Sequence, residues 1–148
     1  MNEDTEIHKK LGIELFNYTW ELLDKPQRTR EEDDTMLHAA HASRFHWGKA
    51  GTAVNLARGE WQIARVYAVL VRPEPSRFHG QRCLDICLEN GIGDFDLAFA
   101  YEALARASAT AGEVADKARY LALAQEAAQH ITDPDDRKLL VHDLETIR

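Results

Sequence analysis

The chain has 148 residues, of which 45% are hydrophobic and 29% charged, and its formal net charge is −7. This length suits one domain with a real core, and the negative charge argues against a general nucleic-acid binder. No apolar run approaches the roughly 18 residues of a membrane span, and the two cysteines give no disulfide framework. We therefore expect a cytoplasmic protein that binds neither nucleic acid nor membrane.

Helix-forming residues dominate the sequence and runs of β-branched residues are missing, which predicts an all-α fold. Apolar residues recur at helical spacing, and prolines, glycines and capping residues divide the chain into about seven helices. Because the links between the third and sixth helices are short, these helices are expected to form antiparallel hairpins. The expected ranges are 5–24, 35–47, 52–71, 76–89, 94–111, 114–130 and 133–148.

Several helix ends carry their own signals. Asp4 or Thr5 is expected to cap the first helix and Asp34 the second, and the second helix is expected to end just before Gly48. The charged segment 28–33 is expected to be an exposed link. Gly59, inside the third helix, indicates either a close helix contact or a kink.

Comparing the chain with itself at an offset of 41 residues reveals an internal repeat. The triplet 63–65 (Ile-Ala-Arg) matches the triplet 104–106 (Leu-Ala-Arg), and Ala68 matches Ala109. The end of the third helix near Val71 matches the turn at Gly112. Recurring helical pairs of this kind are typical of a stacked array.

The segment 104–113 (LARASATAGE) resembles the first helix and glycine turn of the tetratricopeptide repeat family, and Ala118, Tyr120 and Ala124 resemble positions of its second helix. The period of 41 is similar to that of longer-helix variants found in bacterial regulatory proteins. The resemblance covers residues 52–130 as two hairpins, with 1–50 as a leading hairpin and 133–148 as a capping helix. It implies a concave groove that binds a peptide or protein segment, and it implies no catalysis.

An arginine stripe is the first candidate site. Three arginines spaced by seven residues share one side of the third helix, and a fourth repeats one of them in the fifth helix. In the family that the chain resembles, these helices line the groove, where arginines and an aromatic residue could hold an acidic segment or a carboxylate. Alternatively, the arginines pair with acidic residues of adjacent helices. The predicted peptide-binding residues are Arg58, Trp61, Gln62, Arg65, Arg72 and Arg106.

A histidine cluster is the second candidate site. Asp34, His38 and His41 fall on one side of the second helix, and His46 lies further along it. Histidines at i and i+3, with a carboxylate as third ligand, can hold one metal ion. Alternatively, these histidines pack at a helix interface with their ring nitrogens bonded to carboxylates.

The two cysteines, Cys83 and Cys87, lie one helical turn apart, a spacing that fits disulfide geometry poorly. We expect both to be small buried apolar residues. No catalytic motif is present, so the leading hypothesis is a protein-interaction module without a cofactor. Its rivals are a metal-dependent helical bundle that uses the histidines, and a homo-oligomer, such as a homodimer, whose apolar surface is covered by its own copy.

Overall fold

A computed structural model describes residues 2–148 as seven α-helices joined by short links, with no strand in that range. This confirms the predicted all-α fold of about seven helices. The helices are α1 (Glu3–Leu23), α2 (Arg30–Ala50), α3 (Ala53–Val69), α4 (Pro73–Glu89), α5 (Asp94–Ala111), α6 (Val114–Ala128) and α7 (Pro134–Glu145).

The second helix begins earlier and ends later than predicted. The Thr29 side chain accepts a hydrogen bond from the backbone N–H of Glu32 at 3.1 Å, and the Glu32 carboxylate accepts one from the Thr29 N–H at 3.0 Å. This reciprocal capping box starts α2 ahead of Asp34, which lies inside the helix and does not cap it. Most of the segment 28–33, expected to be a link, is therefore helical, and Gly48 also lies within α2.

Two other helix starts differ from the prediction. The Asn2 side chain accepts a hydrogen bond from the Thr5 N–H at 2.8 Å, so α1 begins before the expected cap at Asp4 or Thr5. The fourth helix begins at Pro73, because a missing N–H costs nothing in the first turn. The cap of α7 is as predicted, since the Asp133 side chain accepts two backbone N–H groups of the first turn.

The ends of α3 and α5 share one backbone geometry, 41 residues apart. Val71 has a φ of 59° and Gly112 a φ of 74°, so both residues are left-handed. In each turn the N–H of the following residue donates to a carbonyl five positions earlier at 2.9 Å, which closes the helix end. The predicted match between these two turns is confirmed, and Val71 occupies the glycine position.

Replacing Val71 by glycine is expected to raise the free energy of unfolding by about 1 kcal/mol. An L residue in the left-handed region is strained by roughly 1–2 kcal/mol, and the greater freedom of glycine in the unfolded chain returns part of the gain. Val71 is 73% exposed, so little packing is lost. Urea unfolding followed by circular dichroism would measure the gain, with Gly112→Val as the reverse change. An unchanged or lower midpoint for Val71→Gly would contradict the strain argument.

The helices form two layers. Each helix packs on its neighbours in the chain, and the odd-numbered helices also contact one another, α1 with α3, α3 with α5, and α5 with α7. Within residues 2–148, the backbones of α2, α4 and α6 do not approach one another, although α2 meets α4 through the rings of His41 and His79, whose centroids lie 5.4 Å apart. Since one layer is closely spaced and the other is spread apart, the array curves and the odd-numbered helices form its inner side.

Close helix packing accounts for the glycine inside α3. A Cβ atom at Gly59 would lie 2.8 Å from Cδ of Arg44 on α2, so no other residue fits there without a shift. The glycine therefore marks a close helix contact, one of its two predicted meanings. The same approach brings the Arg44 guanidinium Nε to 3.4 Å from the Glu60 carboxylate.

Candidate functional site

A groove of about 680 Å³ runs between the four inner helices, and both terminal helices contribute to its wall. Clefts of this size with an aromatic lining are typical binding sites. Five aromatic residues line it, namely Phe16, Trp20, Trp61, Phe95 and Phe99. Six charged residues line it as well, namely Asp24, Arg58, Arg65, Asp96, Asp136 and Asp143.

Four inner-helix residues occupy equivalent positions, each 41 residues from the next; the first three are in contact, and Arg65 bridges the third to the fourth. They are Trp20 of α1, Trp61 of α3, Glu102 of α5 and Asp143 of α7. The two indole rings lie with their centroids 5.5 Å apart, and the Trp61 Nε1–H donates to Glu102 Oε2 at 2.8 Å. The 41-residue spacing therefore relates α1 and α7 to the central helices, and the spacing of the two tryptophans was a signal for this in the sequence.

A buried carboxylate anchors two of the predicted arginines. Glu102 has no exposed surface, and its Oε1 accepts hydrogen bonds from Arg65 at 2.9 Å and Arg106 at 2.8 Å. Arg65 also donates to Asp143 of α7 at 2.9 Å. Burial opposes the charge of Arg65, but Glu102 and Asp143 outweigh it and raise the pKa of the guanidinium. These contacts fix Trp61 and Arg65 in the groove wall.

Arg58 is paired in a similar way. Its guanidinium donates to both carboxylate oxygens of Asp96, at 2.8 and 3.2 Å, and lies 5.9 Å from the centre of the Phe95 ring. The hydrogen bond to Asp96 raises the pKa of Arg58 above its usual value. The alternative in which the arginines pair with acids of adjacent helices thus describes Arg58 and Arg65, whereas Arg106 pairs with Glu102 of its own helix.

The other predicted peptide-binding residues lie elsewhere. Gln62 is buried and donates to the Phe16 carbonyl at 3.0 Å, so it holds α3 against α1. Arg72 lies 5.5 Å from the centre of the Tyr67 ring, away from the groove lining. Of the six predicted residues, the structure brings Arg58, Trp61 and Arg65 into the groove lining. Arg106 lies beneath the wall, where it donates to the buried Glu102.

The charge of the groove is the opposite of the one that the arginine stripe suggested. Its lining and the network beneath it hold five carboxylates against three guanidinium groups. Asp24 and Asp136 line the groove without an ion pair to any of residues 2–148. An acidic partner would face this surplus of negative charge, so the expectation of an acidic segment loses its support.

No family model, curated protein or solved structure matches this chain. Nor does any helix within residues 2–148 combine the length and apolar character needed to cross a bilayer.

The structure separates the histidines of the metal hypothesis. His46 Nδ1 lies 2.8 Å from Nδ1 of His8, and His41 Nε2 lies 2.9 Å from the Tyr67 hydroxyl. Burial, and then a histidine neighbour, lowers the pKa of both His41 and His46. The His46 ring is therefore held by α1 and the His41 ring by α3, so the two rings do not face a common metal position.

Asp34 and His38 do not complete a site either. Within residues 2–148, no three His, Cys, Asp or Glu side chains are arranged to hold a metal ion. Asp34, His38, His41 and His46 therefore do not form the predicted metal site.

A histidine–carboxylate pair that the sequence did not indicate lies nearby, between α3 and α4. His79 Nδ1 lies 2.7 Å from the buried Glu60 carboxylate. Burial alone would raise the pKa of Glu60, but His79 and Arg44 together lower it. The partners lie on three different helices, so no local sequence pattern could have revealed them.

Both cysteines are buried and free, as the sequence predicted. A hydrogen bond with Cys87 and burial raise the pKa of the Cys83 thiol well above its usual value. Cys83 touches the groove lining, and at neutral pH it is a protonated, apolar part of that wall.

Proposed function

We propose that this protein is a tetratricopeptide-like interaction module that binds a polypeptide segment in the groove between its inner helices. The observation that carries the proposal is the open, aromatic-lined groove of about 680 Å³. Grooves with a few convergent polar groups are suited to anchoring a side chain of a partner. The proposed binding requires neither a cofactor nor a catalytic residue.

The groove wall is held in place before a partner arrives. Trp61 is fixed by its hydrogen bond to Glu102 at 2.8 Å and by the Arg65 guanidinium 5.2 Å from its ring centre. Because these side chains are already ordered, a partner does not have to bear the entropy of ordering them. Such preorganised Trp and Arg residues are typical of interface hot spots.

The protein's own helices leave the groove open. The terminal helices α1 and α7 both line it, yet they do not touch each other within residues 2–148. The space between them supports an external occupant. We also propose a reducing, cytoplasmic setting, because two cysteines one turn apart in one helix provide no disulfide framework.

Filling the groove with a neutral side chain is expected to abolish peptide binding. Leu139 of α7 is 50% exposed and lines the groove, so Leu139→Trp would occupy it. Peptides selected from a phage-displayed random library against the wild type would then be titrated by calorimetry. Loss of one buried apolar side chain of the partner corresponds to at least about tenfold weaker binding.

The matched control is Val141→Trp. Val141 lies on the same helix and is 43% exposed, but it lines a different cavity between α6 and α7. This variant should bind the selected peptides as the wild type does, and both variants should keep the thermal midpoint. The proposal is wrong if the library yields only peptides that bind Leu139→Trp as tightly as the wild type.

A further inference from the structure

We infer that the segment bound in the groove is basic, with a bulky apolar side chain flanked by lysine or arginine. This inference rests on the proposed function and specifies the chemistry of its partner. The inferred partner is basic, whereas the arginine stripe alone predicted an acidic one. Three observations carry it: the cations already held in the groove, its unpaired carboxylates, and its apolar lining.

The groove already binds cations in one recurring way. Arg65 lies 5.2 Å from the centre of the Trp61 ring and donates to Glu102 and Asp143, both at 2.9 Å. Arg58 likewise lies 5.9 Å from the Phe95 ring centre while it donates to Asp96. Each guanidinium is held by an aromatic face and a carboxylate together, an arrangement that suits further cations.

The groove has carboxylates left over after these pairs are made. Asp24 lies at the C-terminal end of α1 and Asp136 in the first turn of α7, so they stand on opposite walls. Neither makes a direct ion pair with any of residues 2–148, although Asp136 is close enough to the paired Arg58 to help raise the pKa of that guanidinium. A partner with positive charges on both sides of its anchor would neutralise both, whereas an acidic partner would be repelled.

The apolar lining specifies the centre of the segment. The groove between Asp24 and Asp136 is lined by the apolar side chains of Phe16 and Trp20 of α1 and Leu139 of α7. Burying a large apolar side chain among them supplies the affinity, because exposed ion pairs contribute little on their own. The charges then select the partner.

Three synthetic peptides of equal length would test the inference. One carries phenylalanine between lysines, the second replaces the lysines by glutamates, and the third keeps the lysines but replaces phenylalanine by serine. Calorimetry at low and high salt should show binding of the first peptide, weakened by salt, and at least about tenfold weaker binding of the other two. The Leu139→Trp protein should bind none of them.

Charge variants identify the responsible carboxylates. Asp24→Asn and Asp136→Asn should each weaken the binding of the lysine–phenylalanine–lysine peptide by about threefold to fivefold. Asp135→Asn is the matched control, because it lies beside Asp136 in the same first turn but does not line the groove. All three proteins should show the same circular dichroism.

The outcomes separate the inference from the proposed function. If the glutamate peptide binds as tightly, or Asp24→Asn and Asp136→Asn bind like Asp135→Asn, the basic segment is wrong while groove binding stands. If library selection also yields no peptide that depends on Leu139, both are wrong. Self-association that rises with concentration and is lost in Asp136→Asn would make a second copy the occupant, and would overturn the inference of a separate basic partner.

Discussion

Arg65→Ala is expected to lower the free energy of unfolding by about 3–5 kcal/mol, the usual result of breaking a buried ion pair on one side. The Arg65 side chain is only 13% exposed and its partner Glu102 is fully buried. Among residues 2–148, removing the guanidinium leaves Glu102 with Arg106 as its only cationic partner and Asp143 with none. The desolvation of these carboxylates is then poorly compensated.

Arg77→Ala provides the control for this change. Arg77 also pairs with a glutamate, Glu113, but both side chains are more than 40% exposed. Such exposed pairs contribute at most about 1 kcal/mol. Chemical unfolding of both variants would give the comparison. Equal losses for Arg65→Ala and Arg77→Ala would mean that the network under the groove adds nothing beyond an exposed pair.

Leu140→Ala is expected to lower the free energy of unfolding by about 2–5 kcal/mol, the range for truncating a buried leucine. Leu140 has no exposed surface and belongs to a cluster with Phe99, Ile131 and Leu144. Within residues 2–148, the backbone of α7 packs only on α5 and α6, and α3 reaches α7 through the Arg65–Asp143 ion pair, so this cluster is the main apolar attachment of α7. The variant should therefore also weaken peptide binding, because α7 carries one wall of the groove.

The neighbouring residue provides the control for Leu140→Ala. Leu139 is 50% exposed, so Leu139→Ala should change the unfolding free energy by no more than about 0.5 kcal/mol. Hydrogen exchange would show whether the amides of α7 lose protection in Leu140→Ala before those of α3. If Leu140→Ala behaves like Leu139→Ala, the docking of α7 depends on other contacts.

The helices were predictable where their signals are local. The turn at Gly112 and the cap at Asp133 each depend on a few adjacent residues, and the turn at Val71 was predicted from its match to Gly112, 41 residues later; all three are confirmed. The start of α2 was missed because a stronger signal lay upstream. The capping box between Thr29 and Glu32 satisfies the backbone N–H groups of both residues and starts the helix upstream, so Asp34 lies inside it.

The site was predictable only in part, because its partners lie far apart in the chain. The spacing of Arg58 and Arg65 placed both on one side of α3, and both do line the groove. Their charges, however, are met by Asp96 and Asp143, which are 38 and 78 residues away. Helical periodicity gives the face of a residue but not its partner on another helix. The sequence therefore predicted a positively charged groove, whereas carboxylates outnumber guanidinium groups there.

Within residues 2–148, each helix packs its backbone only against helices one or two places away in the chain, and the Arg65–Asp143 ion pair between α3 and α7 is a longer-range side-chain contact. The array therefore behaves almost as a one-dimensional stack. In such a stack the terminal units open most easily, and here the first and last helices are the two sides of the same groove. A bound segment that contacts both α1 and α7 would link the two least stable helices of the molecule. Because it binds only when both helices are in place, its measured affinity would be reduced by their opening, and its binding would suppress the local unfolding of both.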